Sequence, residues 1–412
     1  MEVSPKTLDF IAQHLNDDVR QLALKGCPQD VDLPFVLQQI AGHQTARRKL
    51  PSWAAIDGLI YPPHINMEQC SSEATARYKA NVIARLVHEQ QDDKPLRFVD
   101  LTGGLGVDFA FICQSLRRET NETFETYVEQ NAQLCAISSH NLHLLGIDAE
   151  VVCADTTNYL HQMKEVDVIY LDPARRDSHG AKTFAISDCT PDVLSLREEL
   201  LRKSRFTVVK LSPMLDWHEA VRQLRHVSEV HIVATQGECK ELLVVMQANS
   251  NKLTVTCVND DEIFVFDGNE TNETTRFAKE SDMKTALGEG ALYLYEPNAA
   301  LMKAGCFGIL AKRFGVEPVG RNSHLFVSPH FIDSFPGRKL RITAISSMNK
   351  REWSQRAIGL GHANVAVRNF PMKAEELRHR LKLKDGGNSF VYGTTLADGH
   401  HRLFFCTLHT QV

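Results

Sequence analysis

Nine residues, Asp100-Leu101-Thr102-Gly103-Gly104-Leu105-Gly106-Val107-Asp108, constrain this chain more than any others. The apolar run Leu96 to Leu101, broken by Arg97 and Asp100, leads into them, and a helical pattern from Phe109 to Leu116 leads out. The order is strand, glycine turn, helix. Glycines at 103, 104 and 106 let the backbone turn tightly and approach a ligand closely. The helix that follows aims its free amide hydrogens and its dipole at whatever lies in the turn. An adenosine-bearing cofactor suits such a place.

A Gly-x-Gly loop is common, so the acids that follow it matter more. Glu129 ends the apolar segment Phe124 to Val128, Asp155 ends Val151 to Ala154, and Asp172-Pro173 ends Val166 to Leu171. Four successive strands each stop on a carboxylate. In a doubly wound sheet those strand ends form the ligand crevice, and a carboxylate at the tip of strand 2 is placed to hold ribose hydroxyls. A dinucleotide fingerprint reads Gly-x-Gly-x-x-Gly. Here the turn reads Asp-x-x-x-Gly-x-Gly and begins with a carboxylate, which repels a pyrophosphate and suits an ammonium group.

The chain around this turn alternates. Strand patterns lie near 96–101, 124–129, 151–154, 166–171, 206–211, 229–234 and 241–247, and helical patterns at 107–118, 131–145, 191–203 and 216–225. That rhythm predicts an α/β fold over 73–250, a Rossmann-like seven-stranded, mainly parallel sheet with helices on both faces. The last two strands should pair antiparallel at one edge. Residues 1–72 read as an N-terminal helical region. Leu8, Ile11, Leu15, Val19 and Leu22 recur at helical spacing up to Gly26. Asp32 and Pro34 start a second helix through about Ile40, and a basic stretch follows, His43 to Lys49. Ser71 or Ser72 caps a longer helix that includes Tyr78 and Lys79.

Beyond 250 the rhythm is lost, and two small α+β domains are expected. In 251–336, strands Leu253–Val258 and Ile263–Phe266 flank the turn Asn259-Asp260-Asp261. An exposed loop, Asp267 to Thr275, and a helix from Asn298 to Phe314 follow. In 337–412, strands are expected at 339–345, 364–368, 389–395 and 402–408, with a helix at 373–381.

Asp-Leu-Thr-Gly-Gly-Leu-Gly-Val-Asp resembles motif I of class I S-adenosylmethionine-dependent methyltransferases, and is similar to the version in some rRNA guanine-N2 methyltransferases. The wider resemblance is to members of that class with a ferredoxin-like insert and a C-terminal THUMP-like domain. It rests on Ser71 to Lys79, Asp172-Pro173-Ala174-Arg175-Arg176, Asn364 to Pro371 and Leu381 to Gly387. It implies that Asp100 and Gly104 line the methionine end of S-adenosylmethionine, with Thr102, Gly103, Gly106 and Asp108 completing the cofactor turn. Glu129 would take the ribose, Asp155 would lie by the adenine, and Asp172-Pro173 would face the methyl group. THUMP domains bind tRNA in related enzymes, so the resemblance extends to RNA, tRNA or rRNA, as the partner.

Amino-directed enzymes of the class carry Asp/Asn-Pro-Pro-aromatic after strand 4. Its carboxylate or amide accepts hydrogen bonds from an exocyclic amine, and its ring stacks on a flipped base. Asp172-Pro173-Ala174-Arg175 keeps the acid and the first proline only. Arg175 is then a candidate to stack on a base or hold a phosphate, and Phe184 a candidate ring. Uracil-C5 enzymes share Asp-Pro-Ala-Arg but need a cysteine after strand 5, where Val209-Lys210-Leu211-Ser212-Pro213 offers Ser212, a far weaker nucleophile than a thiolate. A nitrogen acceptor is therefore expected. Lys210 either contacts substrate or is ion-paired.

Net charge is −5, but residues 337–412 hold 13 Lys or Arg and 5 Asp or Glu, a local +8 that leaves −13 for the rest. A basic module on an acidic body points to a polyanionic partner, or is a solvated face. The ten cysteines form no Cys-x-x-Cys pair and read as reduced thiols of a cytoplasmic protein, with no metal site. The N-terminus has no signal-peptide pattern and no apolar run is long enough for a membrane span, so no membrane partner is expected. Three functions fit: an RNA methyltransferase, a non-catalytic cofactor-sensing RNA-binding protein, and a small-molecule methyltransferase. The intact acid series favours the first.

Overall fold

The computed structural model describes residues 3–89, 94–120, 122–175, 186–274 and 276–409. The chain divides into two compact units, Met1–Val230 with Glu241–Leu253, and His231–Lys240 with Thr254–Val412.

The first unit is built on β1 (Leu96–Asp100), β2 (Thr123–Glu129), β3 (Glu150–Cys153), β4 (Val166–Leu171) and β5 (Ser204–Leu211). β1 lies between β2 and β4, β3 beyond β2 and β5 beyond β4, all parallel. The strand order therefore reverses between β1 and β4, which opens a crevice at their carboxyl ends. β6 (Val227–Thr235) and β7 (Glu238–Met246) follow, and β7 runs antiparallel beside β5. Strands covered on both faces must be apolar throughout. Leu242 to Met246 are accordingly all 0 % exposed, and Val168 to Leu171 no more than 1 %.

The seven expected strands are all present, in the order β6-β7-β5-β4-β1-β2-β3. The antiparallel pair is not an edge, however. Its tip, His231–Lys240, belongs to the second unit, where β8 (Thr254–Asn259) lies beside β6 and β9 (Glu262–Asp267) pairs with β8. Val255 and Cys257 are buried in alternation, so the local pattern announces a strand but not its neighbour.

The N-terminal helices also differ from expectation. One long helix becomes two, Pro5–His14 and Val19–Lys25, because the Asp18 side chain accepts from the Arg20 and Gln21 amides and starts the second. The helix started by Asp32 runs to Lys49 through the basic stretch, and Pro51 then prevents its continuation. Glu73–His88 is capped by Ser72, whose hydroxyl accepts from the Thr75 amide. Its Ala76, Ala80 and Ile83 pack in one core with Phe109, Ile112 and Cys113 of the helix Val107–Glu119.

The second unit carries a seven-stranded sheet made of β10 (Tyr293–Pro297), β11 (Glu317–Pro318), β12 (Phe326–Ser328), β13 (Gly337–Ser346), β14 (Asn364–Arg368), β15 (Ser389–Thr395) and β16 (His401–Leu408). Their order is β11-β12-β10-β13-β16-β15-β14. β14 and β15 are parallel, and every other neighbouring pair in this sheet is antiparallel. A boundary at 336 thus parts β10 from its neighbour β13 in one sheet. Leu294, Leu325 and Val327 share a core with Leu340, Tyr392 and Phe404. The single helix expected from Asn298 is two, Ala299–Ala304 and Phe307–Phe314, parted at Gly305 with φ of 67°.

Candidate active site

The turn after β1 is fixed by packing before any ligand is considered. A Cβ on Gly103 would lie 2.1 Å from the Tyr127 ring, so only glycine lets the backbone pass there. The Gly103 amide donates to the Val128 carbonyl at 2.9 Å, and the Tyr127 hydroxyl donates to the Gly104 carbonyl. Gly104 is left-handed, with φ of 57°, and a Cβ there would meet nothing closer than the Thr102 carbonyl at 3.8 Å. The turn is therefore tight behind and open in front.

Two of the expected carboxylates are tied directly to it, and a third acid, Asp172, is joined to it through its backbone amide. Glu129 accepts from the Gly104 amide at 3.0 Å and from the Asn131 amide at 2.8 Å. Asp100 accepts from the Thr102 amide at 2.9 Å. The Thr102 hydroxyl in turn accepts from the Asp172 amide at 2.6 Å, which joins the ends of β1 and β4. Asp155 is exposed and caps the helix Thr156–Gln162, accepting from the Asn158 amide. The hydroxyl of the next residue, Thr156, donates to the Leu101 carbonyl at 2.6 Å.

Asp108 is engaged from within the chain. Its Oδ2 accepts from the Ser71 hydroxyl and the Tyr170 hydroxyl, each at 2.8 Å, and its Oδ1 lies 3.3 Å from Lys79 Nζ. Lys79 is 0 % exposed and also reaches both oxygens of Glu241 at 2.8 Å. A buried ammonium needs this much compensation. Burial works against the Asp108 carboxylate, but Lys79 and Lys210 outweigh it and hold its pKa below the usual value. Ser71, a candidate cap in the sequence, is instead part of this cluster, and it accepts from Lys79 at 3.1 Å. Sequence reasoning gave Lys79 no ionic role. The signal was Glu241, a carboxylate at the head of the apolar run Leu242 to Met246.

Lys210, left open between two roles, is ion-paired. Its Nζ lies 2.6 Å from Asp172 Oδ2. Burial opposes its charge, yet Asp172, Asp108 and Glu241 together raise its pKa above the ordinary lysine value. Asp172 Oδ1 has no protein partner among the described residues. Pro173 follows, and Ala174–Arg175 pairs with Cys189–Thr190 in a short ladder. The Arg175 side chain, Arg176 and Phe184 lie outside the described residues.

The electrostatics call for a cation. Asp100 is 1 % exposed and has no cationic partner among the described residues. Burial, and then the negative charges of Asp108, Asp172 and Glu129, raise its pKa well above the usual carboxylate value. A ligand bringing positive charge to Asp100 would relieve this, and a pyrophosphate would worsen it. These acceptors thus fit an ammonium-bearing ligand.

In the second unit the basic residues of 337–412 divide between faces. Along β13, Arg338 alternates with Lys339 and Arg341, and side chains of a strand point to opposite faces in turn. Arg338 and Arg368 both pair with Glu296. Lys339 donates to the Asp333 and Phe335 carbonyls, and Arg341 to that of Gly290. Lys382 and Lys384 are exposed. All ten cysteines are free. No helix among the described residues is long and apolar enough to cross a membrane.

Two family models match the chain, a ferredoxin-like domain over residues 293–336 and a THUMP-like domain over 337–408. A crystal structure from Porphyromonas gingivalis W83, assigned as a methyltransferase, is 32% identical and covers 100% of both chains with a TM-score of 0.81. A Listeria monocytogenes structure, assigned to the class I S-adenosylmethionine-dependent methyltransferases, is 11% identical over 62% of this chain and 93% of its own, with a TM-score of 0.39. The T. thermophilus 16S rRNA N2 G1207 methyltransferase, solved with AdoMet and guanosine, is 11% identical over 41% of this chain and 42% of its own, with a TM-score of 0.28. The last two likenesses are too distant to carry an argument. Comparison with curated proteins finds no match.

Proposed function

The chain belongs to the class I S-adenosylmethionine-dependent methyltransferases that carry a ferredoxin-like and a THUMP-like domain, and from that premise we propose that it methylates a base nitrogen of tRNA or rRNA. One observation carries the reading: Thr102 ties the cation-seeking Asp100 to Asp172, whose Oδ1 no described residue engages, at the end of the neighbouring strand. S-adenosylmethionine supplies a methyl group activated on a positively charged sulfur. Asp100, Thr102, Gly103, Gly104 and Gly106 would receive its methionine end, Glu129 its ribose and Asp155 its adenine. Asp108 would act from beneath, through Lys79.

At the acceptor side, Lys210 holds one oxygen of Asp172 and leaves the other to accept a hydrogen bond from an exocyclic amine. That bond orients the nitrogen and keeps its lone pair available. Pro173 fixes the chain direction beyond it, and Arg175 is proposed to stack on the base or hold a phosphate. Positioning of this kind accounts for most of the catalysis that such a transfer requires. RNA as the acceptor is supported by the THUMP-like match and by the +8 charge of residues 337–412.

Mass spectrometry of nucleosides from tRNA and rRNA, in cells with and without the gene, tests this. One N-methylated base should vanish without the gene and return with the wild-type chain but not with Asp172→Ala. Identical nucleoside profiles would contradict it.

A further inference from the structure

Glu296, at the end of β10, is 7 % exposed and is shared by two cations. Arg368 Nη2 lies 2.5 Å from its Oε1, and Arg338 Nη1 lies 3.1 Å from its Oε2. The Tyr392 hydroxyl donates to Oε2 at 2.7 Å and accepts from Arg338 at 2.9 Å. Two guanidinium groups on one carboxylate leave a positive charge uncompensated. The surplus is also accessible, because the Arg338 side chain is 49% exposed and that of Arg368 is 36% exposed. The Arg338 guanidinium lies over the Phe390 ring, 5.3 Å from its centroid, but among the described residues its Nε and Nη2 donate no hydrogen bond, and Arg368 Nε is buried without one.

The neighbouring loop is held in a strained form. Asn322, His324 and Asn369 are all left-handed, with φ of 57°, 53° and 47°. Asn369 donates to the Arg321 carbonyl at 3.0 Å, and the Thr395 hydroxyl donates to the Asn369 carbonyl. A Cβ on Gly320 would lie 2.2 Å from the Thr395 carbonyl, so the loop is pressed onto the strand ends. Burial, and then the charge of Arg368, lower the His324 pKa. Strain of this kind persists where the surroundings impose it, and it concentrates at ligand sites.

The geometry points to a phosphate-binding subsite at Arg338 and Arg368, which takes a backbone phosphate of the RNA acceptor. The identity of the acceptor rests on the reading above, whereas the subsite rests on this cluster alone. Guanidinium donors in a fixed fork match phosphate oxygens. Glu296 and Tyr392 hold them ready, which lowers the ordering cost of binding.

The test uses the full chain, wild type, Arg338→Gln and Arg368→Lys. The first variant leaves Arg368 to pair with Glu296, and the second keeps the charge but loses the fork. His324 ring signals are followed by NMR as inorganic phosphate is added, and tRNA affinity is measured against salt. In the wild type, phosphate should shift the His324 signals and raise their titration midpoint, and both variants should lose most of that shift. Arg338→Gln should also weaken tRNA binding severalfold and flatten its log–log salt slope by about 0.7 to 0.9. A wild-type His324 that does not respond to phosphate overturns the subsite, whatever the RNA result. A response to phosphate, with tRNA binding absent or unchanged in Arg338→Gln, overturns the assignment to an RNA phosphate.

Discussion

The Asp100 carboxyl would ordinarily titrate near 3.8, and burial among Asp108, Asp172 and Glu129 raises that value in the folded chain. Between the two pKa values the folded state holds the extra proton, so stability falls as pH rises through that window. Asp100→Asn should therefore raise the melting temperature of the free protein near pH 7, and the gain should shrink towards about pH 4. It should also weaken S-adenosylmethionine binding at least about tenfold, roughly 1.4 kcal/mol. Thermal melts across pH and calorimetry check both. A variant that melts lower and binds as before would sink this view of Asp100. Lys79→Met leaves Asp108 and Glu241 buried without their ammonium and should cost about 3 to 5 kcal/mol in denaturant unfolding. Adding Glu241→Leu should recover much of that loss. Asp100, the glycines, Glu129 and Asp172 were legible because each stands where a strand or turn stops. Lys79 and Glu241 are 162 positions apart, and no local pattern joins them.

The same contrast holds for elements. The strands of the first unit could be read because those buried on both faces are apolar throughout, and the helix Val107–Glu119 because its start is a glycine turn. The place of β8 beside β6 was not legible, since a strand pattern carries no address for its partner. The break before Val19 was missed because the helical spacing of apolar residues continues across Asp18, and the cap overrides it. The turn itself offers a direct test. Gly103→Ala places a methyl group inside the Tyr127 ring. Overpacking of this kind should cost about 1 to 3 kcal/mol and displace the turn. Unfolding in urea should show the loss, and calorimetry should show weakened S-adenosylmethionine binding. A Gly103→Ala protein with unchanged stability would mean that the ring yields freely.

For the whole molecule, the uneven charge was legible, but the surface it makes was not. Arg338, Lys339 and Arg341 lie on both faces of β13, and they and Arg368 are already bound to carbonyls or Glu296. Because residues 337–412 share a sheet and core with residues 293–336, removing them would expose apolar surface, and point changes are the cleaner probe. Lys382→Glu with Lys384→Glu should lower RNA affinity and flatten its salt dependence, while S-adenosylmethionine affinity stays unchanged. The central claim is that the turn after β1 and Asp172 together transfer a methyl group to RNA. Labelled methyl from S-adenosylmethionine, incubated with RNA from cells lacking the gene, measures this most directly. The wild type should place label in the RNA. Asp172→Ala should place none, although it binds S-adenosylmethionine within about tenfold of the wild type. Equal labelling by both proteins, or none by the wild type while it binds the cofactor, would contradict the account.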